Sequence, residues 1–301
     1  MENIPSIKKK RKPKPGEFVI ETVIKAFSIF TIFVTAIIIY TLVSESMIFF
    51  GHVPVTDFLF GTVWTPLFEP QRFGIIPLVV GTMSIALYSM LVAIPLGLGS
   101  AVYLSEYANR KVRAVIKPIL EVLAGIPSIV YGYFALNYIT PVLQKLNPST
   151  EIYNTLSASI AVGIMILPLV ASLSEDAMNA VPNAMRNGAY ALGATKLEVA
   201  RNIVIPAAKS GIISSFVLAV SRAVGETMIV ALAAGSNPRL TFNPFKSIQT
   251  MTGFMVATAN GDIAVGTVGY QTIFAVGMVL FMLTFALNLI ARQFISKKRR
   301  G

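Results

Sequence analysis

Two charged residues lie four apart inside a membrane-length apolar run, SFVLAVSRAVGETMIVALAAG, residues 215–235. Arg222 carries a planar fork of donors that suits the oxygens of a phosphate or related oxyanion, and it stays charged in an apolar setting. Glu226 can accept the hydrogen of a protonated oxyanion or hold Arg222 in place. On one continuous helix the two stand one above the other on one face, where they can pair. A charge at mid-bilayer costs about 2.5–3.5 kcal/mol on insertion scales, so such residues mark a pathway unless they serve as a plain helix-locking ion pair. Thr82, Ser84 and Ser128 are further candidate pathway groups. Gly81, Gly97 and Gly99 read better as packing positions, because small residues let membrane helices approach closely.

The chain that must position these residues has 301 residues, 54% hydrophobic and 13% charged. Its mean hydropathy is +0.70. The apolar runs are long and do not alternate, so they read as helices spanning a core of about 30 Å. Six spans are expected, at 24–46, 75–104, 118–140, 157–174, 211–234 and 271–293. Gly125 and Pro127 break the third. The fold class is an all-α polytopic membrane protein. A basic mobile segment, 1–23, precedes a first anchor helix, 24–46. A core domain, 75–293, follows, with a basic tail at 294–301.

Most of the 25 basic residues fall in the head, the tail and the loops after the second and fourth spans. The opposite loops hold only Arg72, Lys145, Arg239 and Lys246. The positive-inside bias places both termini in the cytoplasm. It also accounts for the net charge of +11 without nucleic acid as a partner. The chain has no cysteine, so a disulfide framework is excluded. A lone histidine, His52, does not make a metal site. No G-x-x-x-x-G-K-[ST] phosphate loop is present, so the chain is not expected to hydrolyse a nucleotide by that means.

The loop EDAMNAVPNAMRNGAYALGATKLEVARNIVIPAAKSG, after the fourth span, has helical content of its own. Asn183 or Asn187 is expected to cap a short helix that stops at Gly193. Thr195, with Glu198 three residues on, has capping-box spacing. Two short helices make a rigid knob suited to a partner's groove.

This loop resembles that of ATP-binding-cassette importer permeases, which reads E-A-A, three residues, Gly, nine residues, Ile-x-Leu-Pro. Asn187, Gly188 and Ala189 align with the first part, Gly193 matches the Gly with Leu192 just before it, and Ile203, Ile205 and Pro206 align with the last part. Asn187, Gly188 and Ile205 depart from the pattern. Further stretches resemble the PstC-type permeases of phosphate importers: FLFGTVWTPLFEPQRFGIIPLVVGTMSIAL, LGSAVYLSEYANRKVR, KPILEVLAGIPSIVYGYFAL, ILPLVASLSEDAMNAVP, SRAVGETMIVALAAG and SIQTMTGFM. The resemblance implies a type I importer permease of the prokaryotic cytoplasmic (inner) membrane that moves inorganic phosphate. It implies pairing with a PstA-type permease and docking of two PstB-type ATPases on residues 176–206. A PstS-type binding protein would deliver phosphate from outside. ATP and magnesium would sit on the ATPases, and no cofactor on this chain. The family also implicates the Arg and Glu of its R-A-x-G-E stretch, here Arg222 and Glu226, in transport. Permeases for molybdate, sulfate or phosphonate share the loop, and a secondary anion transporter and a passive anion channel are the other rivals.

Overall fold

The computed structural model describes residues 15–296. The calls on the basic head at 1–14 and the tail at 297–301 lie outside the described residues. The helices, in order, are α1 Pro15–His52, α2 Val55–Phe60, α3 Ile76–Val102, α4 Arg110–Gly125, α5 Ser128–Phe134, α6 Thr140–Leu146 and α7 Thr155–Asn179. They continue with α8 Asn183–Ala191, α9 Lys196–Val199, α10 Ile205–Val224, α11 Met228–Ala233, α12 Met251–Ala259 and α13 Val268–Ser296. Three five-residue π turns, Tyr103–Tyr107, Ala135–Ile139 and Ala200–Val204, extend or join them. Between α2 and α3, β1 Trp64–Thr65 and β2 Arg72–Phe73 pair antiparallel.

Local chemistry sets the helix ends. The side chains of Asn109, Asn154 and Thr250 accept from backbone N–H groups in the first turns of α4, α7 and α12. Proline stands in the first turn of α3, α6 and α10, where its missing N–H costs nothing.

Among the described residues, five helices are long and apolar enough to cross a membrane. The α4 and α5–α6 pair, bent by 89°, supplies a sixth crossing if it counts as one span. The expected break at Gly125 and Pro127 is therefore present, but the straight span 118–140 is not. Pro127 pushes Ile126 out of helical geometry, and Ile126 sits extended at φ −66°, ψ 128°. Tyr131 Oη donates to the Leu123 carbonyl at 2.8 Å and braces the corner.

The core is α3 against α7, with α10 packed against both. The two inner helices run parallel: Gly97 meets Val170, and Gly163 meets Val92. A Cβ on Gly97 or Gly163 would come within 2.8 or 2.9 Å of those valines, so packing depends on both glycines. Gly81 packs in the same way, since a Cβ there would lie 2.4 Å from the Gln249 carbonyl oxygen. A second cluster gathers Phe49, Phe58, Trp64 and Phe254 where α3 begins. Their rings meet edge to face, Trp64 and Phe254 at 4.9 Å. Helix α1 packs along α13 and leaves most of its surface exposed.

The fifth expected span, 211–234, differs most. Its helix stops at Val224, and α11 begins after a break at Gly225–Thr227. The chain then folds back over the start of α7. The Asn154 N–H donates to Ala233 O at 2.9 Å, and the Thr155 N–H to Lys246 O at 3.1 Å. Glu151 clasps this loop, accepting from the Ser247 N–H at 2.7 Å and lying 3.1 Å from Arg239 and 3.4 Å from Lys246.

Candidate functional site

Arg222 sits in the last turn of α10, exposed, and has no hydrogen-bond or ion-pair partner among the described residues. Its side chain lines a cavity of about 420 Å³. Lys117, Leu120, Glu121 and Ala124 of α4 form one wall, at spacings that place them on one helical face. Helix α7 forms another, with positions from Met165 to Asp176. At 1.5 Å per residue that wall runs about 17 Å along the helix. Met165 lies at mid-helix and Asp176 in the last turn of α7, so the cavity points toward the docking-loop end.

Charge is concentrated at that end. Glu175 is 1% exposed, with Arg113 Nε at 3.2 Å, Lys117 Nζ at 3.1 Å and Asn179 Nδ2 donating at 3.2 Å. The Arg113 and Lys117 contacts are close but poorly aligned as hydrogen bonds, so they act through charge proximity. Lys117 also stands 3.9 Å from the exposed Asp176.

Glu226 does not pair with Arg222, contrary to the helical-face expectation. Gly225 ends α10, and Glu226 falls in the break. Its Oε1 instead accepts from the N–H groups of Met228 at 3.1 Å and Ile229 at 3.2 Å, capping the start of α11. A carboxylate is favoured there by the unsatisfied N–H groups. The Glu226 carbonyl accepts from Thr252 Oγ1 at 2.6 Å, tying the break to α12.

The other sequence candidates are not gathered at the cavity wall. Thr82 is buried, donates to Leu78 O at 2.8 Å and accepts from the Met251 N–H at 3.0 Å, so its hydroxyl is used in packing. Ser84 is buried with no partner for its hydroxyl. Ser128 opens α5, half-buried, just beyond the bend. Lys117, Glu175 and Asp176 were not among the sequence candidates. The signal that could have flagged them was S-E-D at the end of an apolar run and a lysine opening the next.

The knob after α7 has the expected turn chemistry at one of its two helix starts. Thr195 and Glu198 form a reciprocal capping box. Gly193 takes φ +84°, its N–H donates to Tyr190 O, and the Ala194 N–H donates to Ala189 O. That is the left-handed Schellman stop. Neither Asn183 nor Asn187 caps α8: Pro182 precedes the helix, and both asparagines lie within it. Asn187, Gly188 and Pro206 are exposed, Ala189, Ile203 and Ile205 half-buried, and Leu192 is 90% exposed. Arg186 roots the knob. It lies 3.0 Å from Glu106 and donates to the carbonyls of Met178 and Val181.

The family described as binding-protein-dependent transport system inner membrane component matches residues 93–300. The chain belongs to this family. Among the relatives of this inner membrane component is a probable ABC transporter permease protein, YqgH, of Bacillus subtilis. It is 32% identical over 256 residues, 85% of this chain and 82% of YqgH. The phosphate transport system permease protein PstC of Xylella fastidiosa is 34% identical over 264 residues, 81% of this chain and 80% of that one. A probable PstC of Methanocaldococcus jannaschii is 27% identical over 314 residues, 97% of this chain and 96% of that one. In fold, the inner membrane component is similar to a bacterial alginate ABC transporter, with TM-score 0.63, 13% identity, and 92% and 94% of the two chains covered. It is also similar to the MetNI methionine ABC transporter, with TM-score 0.53, 18% identity, and 73% and 94% covered. Its fold is that of type I importer permeases, all-α and multi-pass.

Proposed function

We propose that this chain is the membrane-spanning permease subunit of an ATP-driven inorganic phosphate importer. What supports phosphate as cargo is the likeness to PstC permeases over about four-fifths of the chain. The observation that carries the site is Arg222, an unpartnered guanidinium lining a cavity that runs toward the docking-loop end. Arg222 contacts the oxyanion, and Glu226 shapes the break beside it. A PstA-type permease completes the pathway, and a PstS-type protein delivers phosphate from outside. Two PstB-type ATPases, which carry the ATP and magnesium, dock on 176–206. This chain hydrolyses nothing itself. Counting the bent pair as one span, six crossings return the chain to its starting side, in keeping with both termini in the cytoplasm. The membrane is the prokaryotic inner membrane.

The test is uptake of labelled phosphate per assembled complex. Arg222→Ala should abolish uptake with assembly intact, and Arg222→Lys should restore little, because an ammonium lacks the fork. Normal uptake in Arg222→Ala would remove the site. Competition by molybdate, sulfate or phosphonate as strong as that by unlabelled phosphate would favour the other oxyanion reading.

A further inference from the structure

We infer that Lys117 is a second anion-contact residue of the pathway, taking up the oxyanion in exchange for Glu175 at the docking-loop end of the cavity. This rests on the reading of Arg222 given above. Lys117 and Arg222 line the same cavity from different helices, α4 and α10. One fork-shaped cation and one compact cation thus face a single space.

The partners of Glu175 make the exchange possible. An anion that draws Lys117 away would normally strand a buried carboxylate, which is expensive. Here the cost is reduced rather than removed. Arg113 and Asn179 remain beside Glu175 Oε1 and keep a positive charge at the carboxylate, while Oε2 gives up the Lys117 ammonium. Arg113 is itself anchored, donating to Leu104 O at 2.6 Å and to Asn179 Oδ1 at 3.4 Å. Lys117 is therefore the partner of Glu175 that faces the cavity, whose lining does not include Arg113. It is a point charge on a flexible four-carbon stem.

Glu121 stands one turn from Lys117 on the same wall. Its charge opposes a long stay of any anion. Conduction requires sites strong enough to enter and weak enough to leave. Arg222 supplies the oriented station, and Lys117 beside three carboxylates, Glu121, Glu175 and Asp176, supplies the weak one from which the anion departs.

The chain has no cysteine, so single thiols report cleanly in an assembled transporter whose partners are also cysteine-free. The variants Lys117→Cys and Ser172→Cys, the second on the α7 wall of the same cavity with Arg222 in place, are treated with 2-aminoethyl methanethiosulfonate in membrane fragments open on both sides. The rate of modification is read with and without inorganic phosphate, with chloride as the control. Phosphate at ten times its Kd leaves about one site in eleven empty, so a covered thiol should react roughly tenfold slower. Protection of both thiols is the expected result. Protection in Ser172→Cys alone overturns the role of Lys117 and leaves the Arg222 site standing. Protection in neither overturns both. Lys117→Arg, which keeps a cation beside Glu175, is the second variant should the thiol variant fail to assemble. Its half-maximal phosphate concentration for stimulated ATP hydrolysis should shift severalfold. A wild-type value would show that Lys117 only holds Glu175, and would overturn the inference.

Discussion

Arg186 and Glu106 form a pair whose strength can be worked from its surroundings. Consider Arg186→Met, which keeps the length of the stem and deletes the guanidinium. Arg186 is 13% exposed and Glu106 only 4%. Removing one partner of a buried pair costs about 3–5 kcal/mol, because the other charge stays desolvated. Two local features set the place in that range. The carbonyls of Met178 and Val181 lose a charged donor, which raises the cost. Ser105 Oγ still donates to Glu106 Oε1 at 2.8 Å, which lowers it. The lower end, about 3 kcal/mol, is the expected size. At about 2–4 °C per kcal/mol, the purified transporter should melt roughly 6–12 °C earlier. Thermal denaturation of the complex in detergent reads this directly. Adding Glu106→Gln to Arg186→Met removes the stranded charge and should recover at least half of the loss. A single variant melting within about 2 °C of wild type would refute the reasoning. So would a double variant no more stable than the single one.

Three further outcomes are expected. Gly193→Arg should leave membrane insertion intact and abolish capture of the ATPase subunit in pull-down. The site has open space around it, so the cost is the left-handed backbone, about 1–2 kcal/mol, plus a misplaced charge. Gly81→Val should lower the yield of folded protein, at a cost of about 1–3 kcal/mol or more, because even a Cβ there would lie 2.4 Å from the Gln249 carbonyl oxygen. Glu151 gives a pH effect. The Ser247 N–H chiefly holds its carboxyl below the ordinary value of 4.5, desolvation opposes this, and Lys246 and Arg239 assist. A depressed carboxylate contributes its stability above 4.5 and loses it as pH falls through the lowered value. Proteolysis of the 236–250 loop should therefore accelerate only below that range, and Glu151→Gln should remove the pH dependence.

Features encoded by neighbours in sequence were legible, and those assembled from distant segments were not. The capping box needs only Thr195 and Glu198, and the Schellman stop needs only Gly193 and the turn before it. Both were readable. Arg222 stood out because a charge interrupts an apolar run. Its pairing with Glu226 failed because Gly225 and the free N–H groups of Met228 and Ile229 outcompete a helical continuation. The cavity around Arg222 is built from α4 and α7, and no local pattern announces that Lys117 will meet Glu175. Thr82 was ambiguous for the same reason: its second partner, the Met251 N–H, lies 169 residues away in sequence. A break at Gly125–Pro127 could be read from composition, but its 89° angle depends on what α4 and α5 pack against.

The exposure of Arg222 has a consequence for the life of the chain before it reaches its working assembly. A guanidinium inside a span costs about 2.5–3.5 kcal/mol, and among the described residues Arg222 lines its cavity without an ion-pair partner. A freshly inserted copy is therefore uncomfortable in the bilayer until a polar surface or water-filled space meets that side chain. Copies made in excess would carry that cost for as long as nothing covers the side chain. The same residue that suits an oxyanion therefore favours making this subunit in step with whatever covers it.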